Sequence, residues 1–137
     1  MRVLIDTNIF LDFLFQREPF FQDAELLFQA LDSGQVVGYM TATTLTDIFY
    51  VARRHTGNIE LARQAVSETL TVMEICPVNR AILESAFTSN IAEFEDAVQI
   101  ACGLSQGVEV ILTRNKQGFL SSSVPVLSIK ECLQLEQ

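Results

Sequence analysis

Short apolar segments, separated by stretches of helical periodicity, constrain this chain more than any other feature. Arg2-Val-Leu-Ile-Asp6 is a brief apolar run ending in polar residues, the pattern of a strand buried on both faces. Asn8 to Phe15 continues with apolar residues at helical spacing. Pro19-Phe-Phe then predicts a second helix opened by proline in its first turn, with Phe21, Ala24, Leu27, Phe28 and Leu31 on one face and Ser33-Gly34 at its end. Val36 to Met40 reads as the second strand. Thr41 to Thr46 leads into a helix carrying Leu45, Ile48, Phe49 and Ala52 and stopped near Gly57. Asn58 is placed to cap the next helix, with Ile59, Ala62, Ala65, Val66 and Leu70 along it. Glu74 to Asn79 is a short strand whose Pro77 favours a strand end or an edge. Ala81 to Phe87 and Ala92 to Leu104 predict two more helices, the second closed by Gly107. Val108 to Thr113 is the clearest strand. Val124 to Ile129 is a last short one, followed by a terminal helix from Lys130. This alternation predicts an α/β fold with a central parallel sheet of about four to five strands and helices on both sides.

Composition narrows the class. The chain has 137 residues, enough for one continuous core, and no repeat or linker divides it, so 1–137 is expected to be a single domain. Mean hydropathy is +0.28, yet no apolar run approaches the roughly 20 residues that span a bilayer, so no membrane segment is expected. With an acid six residues in, no signal peptide is expected. Cys76, Cys102 and Cys132 are odd in number, far apart and set among apolar neighbours, which predicts buried thiols in the reducing cytoplasm and no zinc site. The formal charge of −8 argues against a plain nucleic-acid binder, because phosphate contacts need Lys and Arg. That objection weakens if carboxylates converge on divalent cations that reverse the local field.

In parallel sheets, ligands bind at the carboxyl ends of the strands, near a reversal of strand order. The polar residues expected there are Asp6-Thr7-Asn8, the segment Thr41 to Asp47, and Thr113-Arg114-Asn115. Asp6 has a bland reading as a helix cap, although Asp-Thr-Asn supplies more polar groups than a cap requires. Asp47 stands at capping-box spacing from Thr44, and on its own is read as a cap as readily as a catalytic group. Glu93 and Glu95 fit an acidic first helical turn that complements the helix dipole, whereas Asp96, with Ala97 adjacent and Ile100 one turn on, borders the buried face. Asp6, Asp47 and Asp96 can all reach the same sheet edge. Clustered carboxylates repel, and a fold keeps them together mainly to hold a cation. An all-oxygen set without a His or Cys cluster suits Mg²⁺ or Mn²⁺.

These residues resemble the PIN domain, the fold of the toxin ribonucleases of bacterial toxin–antitoxin pairs. The resemblance covers nearly the whole chain. Its matching pieces are Val-Leu-Ile-Asp6-Thr-Asn, Asp47, Phe94-Glu95-Asp96-Ala97 and Ile111-Leu-Thr113-Arg-Asn115. It implies a Mg²⁺- or Mn²⁺-dependent endoribonuclease acting on single-stranded RNA, with Asp6, Asp47, Asp96 and Asn115 as catalytic positions. It also implies a homodimer and an antitoxin partner. Two positions depart from the family: Asp47 stands where Glu is common, and Asn115 where Asp is common. An amide at 115 can bind a metal or orient water but adds no charge, so Glu93 is nominated as the substitute carboxylate. Arg114 and Lys116 are the candidate phosphate contacts, with Asn8 and Thr113 beside them. Arg53-Arg54-His55, about two turns beyond Asp47, reads as a solvated helix end favoured by the dipole. The Phe-rich opening (Phe10, Phe13, Phe15, Phe20, Phe21, Phe28) is either core or a groove for a partner helix or second copy.

Rival chemistries fail on particular residues. An aspartyl-phosphate phosphatase needs a second Asp two residues after Asp6, where this chain has Asn8. A response regulator needs an Asp after the third strand, and Glu74 to Asn79 has none. The remaining rival is a PIN-fold RNA-binding or protein-interaction module with a weakened site, favoured by Asn115 and by the net acidity.

Overall fold

A computed structural model describes residues 1–136. The sheet strands are β1 (Arg2–Ile5), β2 (Val37–Thr41), β3 (Glu74–Cys76), β4 (Val110–Leu112) and β5 (Val126–Leu127), in the order β3-β2-β1-β4-β5, and every pairing is parallel. The helices are α1 (Thr7–Leu14), α2 (Phe21–Asp32), α3 (Ala42–Thr56), α4 (Ile59–Val72), α5 (Arg80–Thr88), α6 (Phe94–Gln106) and α7 (Ile129–Leu135). A single 3-10 turn, Lys116–Phe119, follows β4. The α/β sheet with helices on both faces is the architecture expected from the alternation.

Strand periodicity builds the layers. Side chains alternate across a strand, so Val3 and Ile5 of β1 pack with Phe10, Leu27, Ile48 and Ala62 from α1 to α4. Leu4 points the other way, against Val98, Ile100 and Cys102 of α6 and Ala86 of α5. In β4, Val110 and Leu112 join the first layer and Ile111 the second. Val3, Leu4 and Ile5 are all fully buried, which is why β1 reads as an unbroken apolar run. Each fully buried Leu or Ile contributes about 2 kcal/mol from removing its surface from water.

Several boundaries differ from the expectation, each for a local reason. Pro19 lies in the turn before α2, which starts at Phe21. Asn79 caps α5 through a bond from the Ile82 amide (3.0 Å) and extends it to Arg80–Thr88. The cap of α3 is Thr41, whose hydroxyl accepts from the Thr44 amide (3.1 Å), so Thr44 and Asp47 form no capping box. Pairing in β4 begins only at Val110, and β5 shrinks to two residues. Gly107 closes α6 as expected, at φ +63°, a left-handed conformation that costs other residues more.

The chain lays β1, β2 and β3 outward to one side, then returns across β1 to place β4 on the other. The strand order therefore reverses between β1 and β4, and the residues just past those two strands are Asp6 and Thr113-Arg114-Asn115.

Candidate active site

A cavity of about 390 Å³ opens at that reversal point. Asp6, Thr7 and Asn8 line it from the end of β1, Asp47, Tyr50 and Val51 from α3, Glu95 and Asp96 from α6, and Asn115 and Phe119 from the segment after β4. Of the positions nominated as catalytic, all four (Asp6, Asp47, Asp96 and Asn115) meet in this one recess.

Asp6 is the most constrained member. It ends β1, caps α1 and is only 8% exposed, so capping and cavity lining coexist in one side chain. Its Oδ1 accepts from the Thr7 amide (2.8 Å) and from Gln99 Nε2 (3.1 Å), and its Oδ2 accepts from the Thr113 hydroxyl (2.8 Å). Thr113 Oγ1 in turn accepts from the Asn115 amide (3.0 Å), tying the loop after β4 to the end of β1. Donors on both oxygens fix the carboxylate before any ligand arrives, which is the condition for a preorganised site. A hydroxyl bridge between Thr7 and Thr44 (3.0 Å) fastens α1 to α3.

With Thr41 as the cap, Asp47 is free to face the cavity from the second turn of α3. Asp96 comes from the first turn of α6. Burial raises its pKa first, and the charges of Asp6 and Glu93 raise it further. Glu95 is raised by burial, then by the charges of Asp47, Asp6 and Asp96, with the nearness of the Asp47 carboxyl adding to the rise. Like charges at close quarters hold on to protons, and these shifts record that repulsion. Gly118 packs the 3-10 turn against Asp96: a Cβ added there would meet Asp96 Oδ2 at 2.6 Å. The missing side chain lets that backbone wall in the carboxylate.

Four nominated residues take other places. Glu93 stands one position before α6, where its side chain makes no capping bond, and it does not line the cavity. Glu95, read from sequence as a dipole partner, supplies the extra carboxylate instead. Thr113 is buried and holds Asp6 rather than facing a substrate. Arg114 turns away: its Nε and Nη2 bond the buried Asp12 carboxylate (2.8 and 3.3 Å), and its guanidinium lies 4.0 Å over the Phe20 ring. Lys116 pairs with Glu131 of α7. Asn8 lines the cavity, leaving it as the substrate contact among those nominated that does so.

Gln99 was legible only as an odd amide amid the apolar run Ala97 to Ala101; it is 2% exposed, and among the described residues its Oε1 has no hydrogen-bond partner. No pattern in the sequence marks Gly118.

The donor set suits a hydrated cation better than a bare one. Among the described residues, no three carboxylate, imidazole or thiolate groups stand close enough to enclose an ion unaided. The carboxylates are instead spread around an open polar recess. That arrangement fits a hard cation that keeps several waters and takes one or two carboxylates directly, as Mg²⁺ does, and it does not fit a dehydrated all-protein cage. Oxygen-only donors and raised carboxyl pKa values point the same way.

Comparison with known proteins supports the fold. A VapBC structure from Salmonella typhimurium, solved bound to DNA, superposes with a TM-score of 0.71 at 14% identity, covering 94% of this chain and 98% of that one. A toxin–antitoxin complex from Klebsiella pneumoniae gives 0.67 at 23% identity, over 93% and 97%. VapC20 of Mycobacterium tuberculosis, described as a sarcin–ricin-loop-cleaving toxin, gives 0.64 at 19% identity, over 80% and 86%. No curated protein matches in sequence at a significant level. The family model described as the PIN domain matches residues 2–117, from β1 into the turn after β4, and so includes Asp6, Asp47, Glu95, Asp96 and Asn115 of the carboxylate cavity: this chain belongs to the PIN domain family.

Proposed function

We propose that the chain, acting as one nuclease domain over 1–137, is a Mg²⁺- or Mn²⁺-dependent endoribonuclease that cuts single-stranded RNA as the toxin of a toxin–antitoxin pair. The observation that carries this reading is the meeting of Asp6, Asp47 and Asp96 with Asn115 at the switch point of a parallel sheet. Asp6 and Asp96 are the principal ligand candidates, with Asp47 and Glu95 completing the negative field. A divalent ion held there supplies neutralisation of phosphate charge and a lowered pKa for bound water. The chain's own part is positional. Thr113, Gln99 and the Thr7 amide hold the Asp6 carboxylate, Gly118 admits the backbone that walls in Asp96, and Asn115 presents an amide able to orient water or phosphate without adding charge.

The partner reading has its own recess. Phe10, Phe13, Leu14, Phe28 and Val72 line an apolar groove of about 350 Å³ between α1, α2 and α4, with Glu25, Asp32 and Glu68 among its lining. That combination fits an amphipathic helix with an apolar face and basic flanks, and we assign it to the antitoxin. The solved toxin–antitoxin complexes that this fold resembles support a partner of this kind. A homodimer in the cytoplasm completes the reading, consistent with three buried free thiols. No helix among the described residues is long and apolar enough to cross a membrane.

Cleavage of a labelled single-stranded RNA tests the activity. It should require Mg²⁺ or Mn²⁺, stop with a chelator and resume on adding the ion back. Asp6→Asn should lower the rate on the order of a thousandfold. Undiminished cleavage by that variant would point to a contaminating nuclease and defeat the mechanism. Sedimentation of the isolated protein tests the dimer, and a clean monomer across micromolar concentrations would leave only the foreign partner.

A further inference from the structure

The structure leaves the substrate without the cations the sequence offered it. Arg114 is spent on Asp12 and Phe20, Lys116 on Glu131, and Arg17 also faces Asp12. A strongly acidic cavity still has to hold a nucleic acid chain beside the ion. One element of its wall has the right chemistry. Tyr50 lines the cavity next to Asp47 and is 67% exposed, whereas the other aromatic there, Phe119, is 2% exposed. An exposed ring of that size at the mouth of a polar site is not core packing. Its neighbour Phe49, half-buried beneath, meets it edge to face at 6.2 Å between ring centroids, which restrains the ring's position.

Helix geometry extends the feature. Successive helical residues turn by about 100°, so Arg54, seven residues beyond Asp47, returns to the same face of α3 about 10 Å further along the axis. Arg53 falls well off that face. Arg54 is exposed and forms no ion pair among the described residues, while His55 is packed against the Phe15 ring, with centroids 4.2 Å apart. Asp47, Tyr50 and Arg54 thus form a stripe running from the carboxylate cluster outward: an acid, a flat aromatic face, then a free cation. Single-stranded nucleic acids are held by that alternation of stacking platform and phosphate contact, without base-specific hydrogen bonds.

We propose that Tyr50 and Arg54 form the substrate track of this site, with Tyr50 stacking on a base next to the cleaved phosphate and Arg54 contacting a phosphate further along the same strand. This rests on the ribonuclease reading and names its substrate contacts. The track makes binding tolerant of sequence at that nucleotide, and it leaves the ion-binding carboxylates untouched.

The test is steady-state cleavage of a short single-stranded oligoribonucleotide with Mn²⁺ present, across a series of salt concentrations. Tyr50→Ala should raise KM about tenfold, with kcat changed far less, and Tyr50→Phe should restore the original KM because it keeps the aromatic face. Arg54→Gln should raise KM several-fold and reduce the slope of log affinity against log salt by about 0.7, the signature of one lost phosphate contact on a single strand. Mn²⁺ affinity measured by calorimetry should be unchanged in all three variants, and so should the melting temperature, since both side chains are exposed. If the unaltered protein cleaves and the variants keep its KM and salt slope, the track is overturned while the nuclease reading stands. If Mn²⁺ affinity falls along with RNA affinity, the side chains act on the metal site and the track is likewise overturned. If the unaltered protein neither cleaves nor binds the oligoribonucleotide, both readings fall together.

Discussion

Two recesses of similar volume, about 390 and 350 Å³, share no lining residue, and one is chiefly polar where the other is chiefly apolar. The cavity past β1 and β4 is lined mainly by polar groups, the carboxylates of Asp6, Asp47, Glu95 and Asp96 and the amides of Asn8 and Asn115 among them, with Tyr50 and Phe119 as its aromatic members. The groove between α1, α2 and α4 is walled by phenylalanines, with Phe13 and Phe28 stacked 4.0 Å apart and Phe10 edge-on to Phe28 at 5.8 Å. In the first, like charges are held together at a cost to the folded state, and only a ligand of opposite charge relieves it. In the second, apolar surface stays in contact with water, and only an apolar partner relieves that. The pair teaches where each binding energy comes from: electrostatic relief at the sheet edge, surface burial in the groove. Changes in one should leave the other untouched.

The sharpest internal test of the cavity is Gln99→Leu. Gln99 gives Asp6 one of its three donors, so its loss should weaken Mn²⁺ binding and RNA cleavage by roughly tenfold to a hundredfold, read by calorimetry and initial rates. The same change removes a buried amide oxygen that has no partner among the described residues, so thermal stability should hold or rise slightly. A large loss of stability without loss of metal affinity would make Gln99 a packing residue only. Binding of an antitoxin helix should stay at its original strength.

The groove can be altered in the same spirit. Glu25 and Glu68 help line it, and Glu25→Lys with Glu68→Lys should weaken a basic amphipathic helix about tenfold, chiefly through slower association that is sensitive to salt, while RNA cleavage is unchanged. Equal binding before and after the charge reversal would mean that the acidic lining plays no part in choosing the partner.

Asn115→Asp sharpens the electrostatic side. One more carboxylate in the cavity should tighten Mn²⁺ binding several-fold and lower the metal concentration for half-maximal activity. The unmodified protein should titrate with one well-bound ion. Two tight sites before the change, or no response to it, would place Asn115 outside the ion's surroundings.

The smallest effect is on pH dependence. Glu95 and Asp96 hold their protons more tightly in the folded protein than in the unfolded chain, because of burial and then neighbouring carboxylates. In that window the folded state binds more protons, so the stability of the metal-free protein should fall as pH rises from the ordinary carboxylate range through the raised values. The slope should be small, since both groups remain largely solvated, and saturating Mg²⁺ should flatten it. Melting temperatures across mildly acidic pH, with and without Mg²⁺, would show it; a rise in metal-free stability over that range would contradict the assigned repulsion.

The sequence made the fold legible because its signals are short-range. Val3 to Ile5 is buried on both faces and therefore apolar throughout, Asn58 caps its helix locally, and Gly107 stops α6 where a left-handed residue is needed. The positions of Asp6, Asp47, Asp96 and Asn115 followed from strand ends and from family resemblance. What stayed hidden depends on contacts between distant segments. Arg114 looked free because Asp12, its partner, is 102 residues away. Thr113 was placed among the substrate contacts because its acceptor, Asp6, lies just past β1, 107 residues back. Glu93 was nominated where Glu95 lines the cavity, because the sequence does not show which way the first turn of α6 faces. Gly118 matters only because Asp96 approaches it.

The most direct measurement is paramagnetic broadening of backbone amide resonances by substoichiometric Mn²⁺ in the isotope-labelled protein. The account predicts that signals from Thr7, Asp47, Asp96 and Asn115 disappear first, while those of Leu27, Phe28 and Val72 around the apolar groove stay sharp, and that Asp6→Asn restores the lost signals. Broadening centred on Glu25, Asp32 and Glu68, or none at all at micromolar Mn²⁺, would contradict a cation site at the carboxyl end of the sheet.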